Sequence, residues 1–510
     1  MFFMNSMNIL KRHFFYAMIF LLIFSFSAVS VLILQSCSQN DSKDTVNDKQ
    51  QNNDIGGSII EENTETTAIS DDIPELNFNG ETVSILYRDY MQYEVDAEAE
   101  NGDVINDAVY RRNRNVEERF NIKFNMIPTQ GAWDHKDLFL NKVRHSVSAG
   151  DDEFEIIEGY AAYIVDLTSG GYLANWETIP YVGFSKPWWN KNFVDEMTIN
   201  NKLYFLTGDL ALSTIWEANV LFFNKKMWEG YAFENPYNLV KDGKWTLDKM
   251  AEITKQVSGD LDSDGKYTDK DLYGYVTDTH NQIDAYVVSF DVPVTSKGDD
   301  GIPVYRIEEP KFSEAFLRLY TFVRENLSTF AGTEQPTATD IYSIYRPMFQ
   351  QERALILAEY LGNSSQMRSY DFDFGILPFP KLDERQEQYK TMPQNGYTMF
   401  CTPVTVLNTE KVGAVIEALA AESRKSVLPA FYEVALKTKY ARDDDSADMI
   451  DIIRDGISYN FGMEYVVPLG SPHLQWRFLV TNKKNNITSE VERQMPLFQK
   501  NLEKVLAAYE

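Results

Sequence analysis

Between Glu81 and Tyr160 the chain alternates short apolar runs rich in β formers with stretches of helical period, and that alternation leaves few folds open. Glu81–Tyr87 (ETVSILY) reads as a first strand. Ile105, Val109, Val116 and Phe120 then fall on one helical face. Ile122–Ile127 is a second strand, His135 to Ser148 a second helix, and Phe154–Ile157 a third strand. Strands interleaved with helices predict a mostly parallel sheet covered by helices on both faces, an α/β fold. In such sheets ligands bind outside the carboxyl ends of the strands. Arg88–Asp89 and Glu158–Tyr160 are expected at those ends. Arg111, Arg112, Arg114 and Arg119 are interleaved with Glu117 and Glu118, a pattern of a solvated helix face rather than of a phosphate site.

Further along, Lys202–Lys225 reads KLYFLTGDLALSTIWEANVLFFNK. Leu203–Leu206 is a β-rich run, Gly208 and Asp209 interrupt it, and Val220–Phe223 forms a second run before Asn224–Lys226. A helix start follows at Met227–Trp228, and a Trp-Thr helix entry at Trp245–Thr246, opening a helix to about Val257. Tyr273–Thr277 and Ala285–Phe290 read as strands. Pro310–Asn326 is amphipathic, with Phe312, Phe316, Leu319 and Val323 in register. MFQQERALILAEYLG (Met348–Gly362), DFGILPFPK (Asp373–Lys381) and a strand at Met399–Val404 with its helix Val412–Ser423 come next. The chain closes on a helix whose Val491, Met495, Phe498, Leu502 and Val505 share a face, with Ser489 and Glu492 as a capping box.

In this order, from about Gly80 to the C-terminus, these motifs resemble the extracellular solute-binding proteins of the maltose/oligosaccharide type (family 1), the capture subunits of ABC importers. The resemblance implies a two-lobed periplasmic-binding-protein-like (Venus flytrap) fold. Each lobe is then a mostly parallel sheet flanked by helices, and several chain crossings make the hinge. Residues 76–207 and 379–440 are expected in lobe 1, and residues 208–378 and 441–510 in lobe 2. The ligand is expected in the cleft, and the partner is an ABC permease that receives it from a monomeric protein.

The N-terminus implies export. Lys11 and Arg12 precede an uncharged run, Phe14–Leu34, and then Leu34-Gln35-Ser36-Cys37. A basic start, an apolar run and a small residue before a Cys predict a signal peptide over residues 1–36 and lipidation of Cys37. Gln35 departs from the small residue usual in that box, and the run is also long enough to stay as a membrane anchor. Residues 37–75 are polar and read as a disordered tether. The expected location is therefore the extracytoplasmic face of a bacterial cell membrane, held by lipid. The net charge of −28 becomes −30 once Lys11 and Arg12 leave with the signal. That acidity argues against nucleic acid and polyanionic ligands and leaves a neutral solute as the expectation. With Cys37 lipidated, Cys401 is the remaining thiol, so the core must hold without a disulfide.

Two constellations carry chemistry. DLDSDGKYTDKD (Asp260–Asp271) has the spacing of a calcium loop: Asp260, Asp262 and Asp264 at positions 1, 3 and 5, and Gly265 at the turn. The Lys266 carbonyl stands at 7, Thr268 at 9 and Asp271 at 12, where a helix-loop-helix site has the longer Glu. The expected cofactor is a structural Ca²⁺; a solvated acidic turn is the alternative. The second constellation is aromatic, drawn from a chain in which Phe, Trp and Tyr make up 14%. Sugars stack a flat C–H face on aromatic rings and need planar polar partners for their hydroxyls. Arg88, Tyr160, Trp216, Glu217, Asn219, His280, Glu359, Tyr360 and Asn395 are the candidate ligand contacts; ordinary core packing is the alternative for each aromatic. No H-E-x-x-H, G-x-S-x-G, P-loop or G-x-G-x-x-G occurs, so no catalytic residue is assigned. The function expected is capture of an oligosaccharide by hinge closure. A secreted carbohydrate-active enzyme and a calcium-dependent surface adhesion module are the alternatives.

Overall fold

A computed structural model describes residues 69–332, 343–436 and 444–510. Cys37, the signal over 1–36 and the tether up to residue 68 lie outside the described residues. Nine strands organise the body: β1 Glu81–Arg88, β2 Ile122–Thr129, β3 Ile156–Tyr160, β4 Asn219–Asn224, β5 Leu272–Thr277, β6 Thr329–Ala331, β7 Ala354–Tyr360, β8 Phe374–Leu377 and β9 Thr398–Cys401. These nine fall into two sheets; the two-residue strand Ser258–Gly259 edges the second, and Thr295–Lys297 pairs with Pro303–Tyr305 in a small third sheet.

The first sheet has the order β9-β3-β1-β2. β1 pairs parallel with β2 (Ile85 opposite Met126) and with β3 (Leu86 opposite Ile157), while β9 runs antiparallel to β3. Helix Val104–Phe120 makes the β1–β2 crossover. Asp103 caps it by accepting from the amides of Ile105 and Asn106, and Asn121 ends it in the left-handed region. Ile105, Val109, Val116 and Phe120 are all buried, the face the sequence predicts. Helix Lys136–Ala149 makes the β2–β3 crossover.

The second sheet has the order β8-β4-β7-β5, with β6 added parallel to β5. β7 and β5 are parallel, but β4 is antiparallel to both β7 and β8. This sheet is therefore mixed, where a mostly parallel one was expected. Every residue of β4 is buried, with Val220 and Phe222 in one core and Leu221 and Phe223 in the other. A strand covered on both faces reads as an unbroken apolar run, and this one does.

Several expected elements change. Ala285–Phe290 is not a strand: Ala285–Ser289 lies in helix Asn281–Ser289, whose residues from Gln282 on are all buried, and Phe290 caps its end. A short helix buried all round has no polar face to reveal its period. Leu203–Leu206 makes a single antiparallel bridge, Leu206 to Phe400, instead of a strand. Glu158–Tyr160 belongs to β3 rather than following it. The last helix begins at Ile487, and Ser489 donates to the Asn486 carbonyl instead of forming a capping box. Arg112 is buried, its guanidinium donating to the Val95 carbonyl and Ser423. The end of the expected tether is fastened: Asp71 pairs with Arg119, Asp72 with Lys186, and Ile73 enters the first core.

Two antiparallel segments join the sheets. Ser213–Asn219 runs beside Met392–Thr398: the Thr398 amide donates to Ser213 Oγ at 3.0 Å, and the Asn219 amide to the Met392 carbonyl at 3.0 Å. Phe379, Leu382, Tyr389 and Met392 still pack in the second core, so the return toward the first sheet comes at Met392–Thr398, after residue 379. The terminal helix Ile487–Leu506 ties the two bodies, with Ile487, Val491 and Phe498 in the second core and Leu502 and Val505 in the first. Trp188 and Trp189 are core residues; both indoles donate to the buried Glu417, at 3.0 and 2.7 Å. Among the described residues no helix is long and apolar enough to cross a membrane.

Candidate functional site

The carboxyl ends of β1, β2 and β3 carry aromatic residues. Tyr90 follows β1, Trp133 follows β2 and Tyr160 ends β3. Tyr90 is 45% exposed and Trp133 43%, unusual for rings beside a buried charge cluster. Trp133 and Tyr160 have centroids 5.9 Å apart, and Tyr160 stacks on Tyr163 at 5.1 Å. Gly131 lets the loop after β2 close on Arg88, because a Cβ there would stand 2.5 Å from Arg88 Cγ.

Beneath the rings lies Arg88, 0% exposed. Its Nε donates to Glu158 Oε1 at 2.9 Å. One terminal nitrogen donates to Tyr90 Oη at 2.9 Å and the Gly396 carbonyl at 2.6 Å; the other donates to Glu158 and to Thr398 Oγ1. All five N–H donors are thus used. Arg88 was expected to touch ligand; burial and full engagement make it the scaffold of the wall instead. Thr398 Oγ1 also lies against Glu94 and Glu158, yet it has one proton to give. Burial, and next to it the charge of Glu158, push Glu94 up to about 7.

Glu217 completes this wall. Its Oε2 is buried and has no hydrogen-bond partner. Burial pushes it up to about 8, against the pull of Arg88 and with the push of Glu94 and Glu158. Beside it, Asn395 Oδ1 accepts from Tyr160 Oη at 3.1 Å and from Gln394 Nε2 at 2.9 Å. Asn219, also expected at the ligand, is buried and donates through Nδ2 to the Met392 carbonyl, so it holds the two crossing segments together.

Trp216 sits in the hinge. It is half-buried, with Tyr93 at 5.9 Å and Phe431 at 5.6 Å. Gly362, after β7, lets the indole close in: a Cβ there would be 2.1 Å from Trp216 Nε1.

The second sheet presents its own cluster at the carboxyl ends of β5 and β7. Glu359 is buried and accepts from Arg346 Nε, from Asn363 Nδ2 at 2.7 Å and from the Tyr360 amide at 2.9 Å. It holds Arg346 and the turn after β7, in place of the expected ligand contact. Tyr360 and His280 are partly exposed. Burial and the nearby Arg477 lower the His280 pKa, so it stays neutral. Arg477 pairs with Asp284 and donates to Asn281 Oδ1 at 2.7 Å. Asp278, which follows β5, is fully buried; its Oδ1 accepts from the amides of His280 and Gln282, and its Oδ2 has no partner. Burial raises its pKa. Sequence reasoning missed Tyr90, Trp133, Arg346, Asp278 and Arg477. Position just past a strand's carboxyl end was the available signal for Tyr90, Trp133 and Asp278.

The acidic loop folds around its own amides. Asp260 Oδ2 accepts from Gly265 N at 2.8 Å, Asp264 Oδ1 from Lys266 N at 2.8 Å, and Gly265 has φ +79°. Carboxylate oxygens of Asp260, Asp262 and Asp264 lie within 4.8 Å of one another. Asp271 stands apart from that group, accepting from the amides of Leu261 and Thr268 and from Thr268 Oγ1. Desolvation and the acids around it raise the Asp262 pKa. A groove of about 780 Å³ between helices Leu247–Thr254 and Pro310–Tyr320 touches neither wall.

No protein-family model matches the chain, and comparison with curated proteins finds no match. Solved structures do match. A cyclo/maltodextrin-binding protein complexed with maltotetraose superposes with a TM-score of 0.56 at 12% identity, over 83% of this chain and 98% of that one. A family 1 extracellular solute-binding protein from Bifidobacterium longum subsp. infantis gives 0.52 at 14% identity, over 84% and 99%. UgpB from Mycobacterium tuberculosis, in complex with glycerophosphocholine, gives 0.53 at 11%, over 83% and 98%. The fold is that of the two-lobed solute-binding proteins. In it the two sheets are the two lobes, and the segments Ser213–Asn219 and Met392–Thr398 cross between them.

Proposed function

We propose that the protein captures an oligosaccharide between its two lobes and delivers it to an ABC importer. The observation that carries this reading is the pair Tyr90 and Trp133, exposed past the carboxyl ends of two adjacent strands of the first sheet, with the buried Tyr160 at the end of a third strand backing Trp133. Such rings offer flat faces for pyranose C–H groups, and Asn395, Gln394 and Glu217 beside them offer planar polar atoms for hydroxyls. The cyclo/maltodextrin-binding neighbour, complexed with maltotetraose, supports a sugar as the ligand class. Closure about the paired crossings would bring Tyr360 and His280 of the second wall onto the same solute. A ligand that contacts both lobes only when closed shifts the population toward the closed form, and hinge closure of this kind is the motion of periplasmic binding proteins as a class.

The reading is of a binding protein, not an enzyme, held by a lipid on Cys37 at the extracytoplasmic face of the membrane. A bound Ca²⁺ at Asp260, Asp262 and Asp264 would stabilise the loop from outside the cleft; three carboxylates gathered on one point suit a hard cation. Titration calorimetry against a panel of glycans tests capture: saturable one-to-one binding with the glycan recovered intact is the expected result. Turnover of the glycan would favour the enzyme reading.

A further inference from the structure

We infer that the captured solute carries a protonated amine, so that the ligand class is the amino-sugar oligosaccharides. This rests on the capture function proposed above and replaces the expected neutrality of the solute.

Among the described residues both walls hold more carboxyls than cations. In the first, Glu94, Glu158 and Glu217 surround one guanidinium, and every donor of Arg88 is already committed. In the second, Arg346 answers Glu359 and Arg477 answers Asp284, so among the described residues Asp278 has no ion pair of its own, although both guanidiniums act on it from a distance. The Lys136 ammonium, 5.3 Å from the Trp133 centroid, lies at the rim of the first wall. Two of the carboxyls keep a buried oxygen with no partner, Glu217 Oε2 and Asp278 Oδ2, one on each lobe. They stand on different sheets, so neither is explained by the other.

A buried carboxyl without a cation either keeps its proton or waits for one. Glu217, pushed up to about 8, keeps it in the unliganded protein at neutral pH. A hydroxyl-only sugar can share a neutral acid, but a ligand ammonium makes a charge-assisted bond to the carboxylate, roughly twice as strong as a neutral one. The rings of this wall already lie beside cations, Tyr90 beside the Arg88 guanidinium at 5.3 Å and Trp133 beside the Lys136 ammonium at 5.3 Å, so positive charge is compatible with them. Binding is balanced as follows: the ligand keeps its ammonium, Glu217 gives its proton to solvent, and the pair that forms is ammonium–carboxylate. Uptake of the amine therefore releases a proton, and uptake of an uncharged sugar does not.

Calorimetry separates these cases with three trimers of equal length: glucosamine trimer, its fully N-acetylated form, and maltotriose. Each is run at pH 5.5, where the ligand amine is an ammonium and Glu217 still holds its proton, in two buffers of different ionisation enthalpy, on the wild type and on Glu217→Gln and Asp278→Asn. The expected result is at least tenfold tighter binding of the free-amine trimer by the wild type, with proton release, and loss of the release in Glu217→Gln. The wild-type comparison stands alone should either variant fold poorly. Equal affinities, or preference for the uncharged trimers, would overturn the amine inference and leave oligosaccharide capture standing. Failure of all three to bind would overturn both.

Discussion

In the first wall one guanidinium, Arg88, is wholly buried and shared among Glu158, Thr398, Tyr90 and the Gly396 carbonyl. In the second, two guanidiniums each answer one carboxylate, and the Arg346 and Arg477 side chains stay 27% and 15% exposed. The difference separates scaffold from contact. A fully used, buried cation has no donor left for a solute and fixes the rings above it. A guanidinium that is partly solvated can rearrange its outer bonds when a ligand arrives. The first wall therefore reads as a preformed platform, and the second as the side that adapts.

The comparison can be broken most directly by removing its charges. Arg88→Ala leaves Glu158 buried without its cation, and breaking such a pair costs about 3–5 kcal/mol. Arg346→Ala leaves Glu359 with two other donors, and a lost charge-assisted hydrogen bond costs about 1–3 kcal/mol. Urea unfolding of the two variants should rank them in that order; equal losses would mean the walls are built alike.

Titration gives the next effect. Burial pushes Glu94 and Glu464 up to about 7 and Glu217 up to about 8. Glu417 also reaches about 7, its burial outweighing the N–H donors of Trp189, Gly183 and Trp188. Their folded pKa values exceed the unfolded ones, so between about pH 4.5 and 8 the folded state binds more protons than the unfolded state. Stability should accordingly be greatest at the acid end of that window and fall as pH rises through 7 to 8. Melting temperatures from pH 5 to 8.5 check this, and Glu94→Gln with Glu217→Gln should flatten the slope. A melting temperature that climbs with pH would refute the assignment of these acids.

Much of this could be read in the sequence, and the failures have physical causes. The β1–helix–β2–helix–β3 order was legible because each element has one buried face and so a clear period. Helix Asn281–Ser289 was not, because burial on every side erases the period. Tyr160, Glu217 and Asn395 were expected at the ligand as polar and aromatic residues near crossings and strand ends, and the structure places them beside one another in the first wall. Arg88, Asn219 and Glu359 were expected there for the same reason and are instead buried and engaged in internal hydrogen bonds, since sequence shows position along the chain but not how many hydrogen bonds a side chain already makes. Tyr90 and Trp133 went unnoticed because a single ring in a loop leaves no periodic trace.

The aromatic residues sharpen the contrast between hinge and wall. Trp216→Ala removes a half-buried ring wedged between Tyr93, Phe431 and Gly362 and should cost about 2–3 kcal/mol of stability, somewhat under the value for a fully buried Trp. Trp133→Ala removes an exposed ring, so stability should hold while glycan affinity drops by up to about tenfold, the worth of one stacking contact. Unfolding and binding measured on both variants decide the matter; the reverse pattern would move the ligand from the wall to the hinge.

Calcium should have the smallest effect. At ten times the dissociation constant it would stabilise the protein by about 1.4 kcal/mol. A modest rise in melting temperature is expected, absent in Asp260→Ala/Asp264→Ala. An identical melting curve in Ca²⁺ and in chelator would remove the ion from the description.

Small-angle scattering before and after saturation with a glycan that calorimetry shows to bind tests capture by closure most directly. The expected result is a smaller radius of gyration in the complex, reversed when the glycan is dialysed away. A saturated complex with an unchanged radius of gyration would contradict closure of the two lobes on the solute.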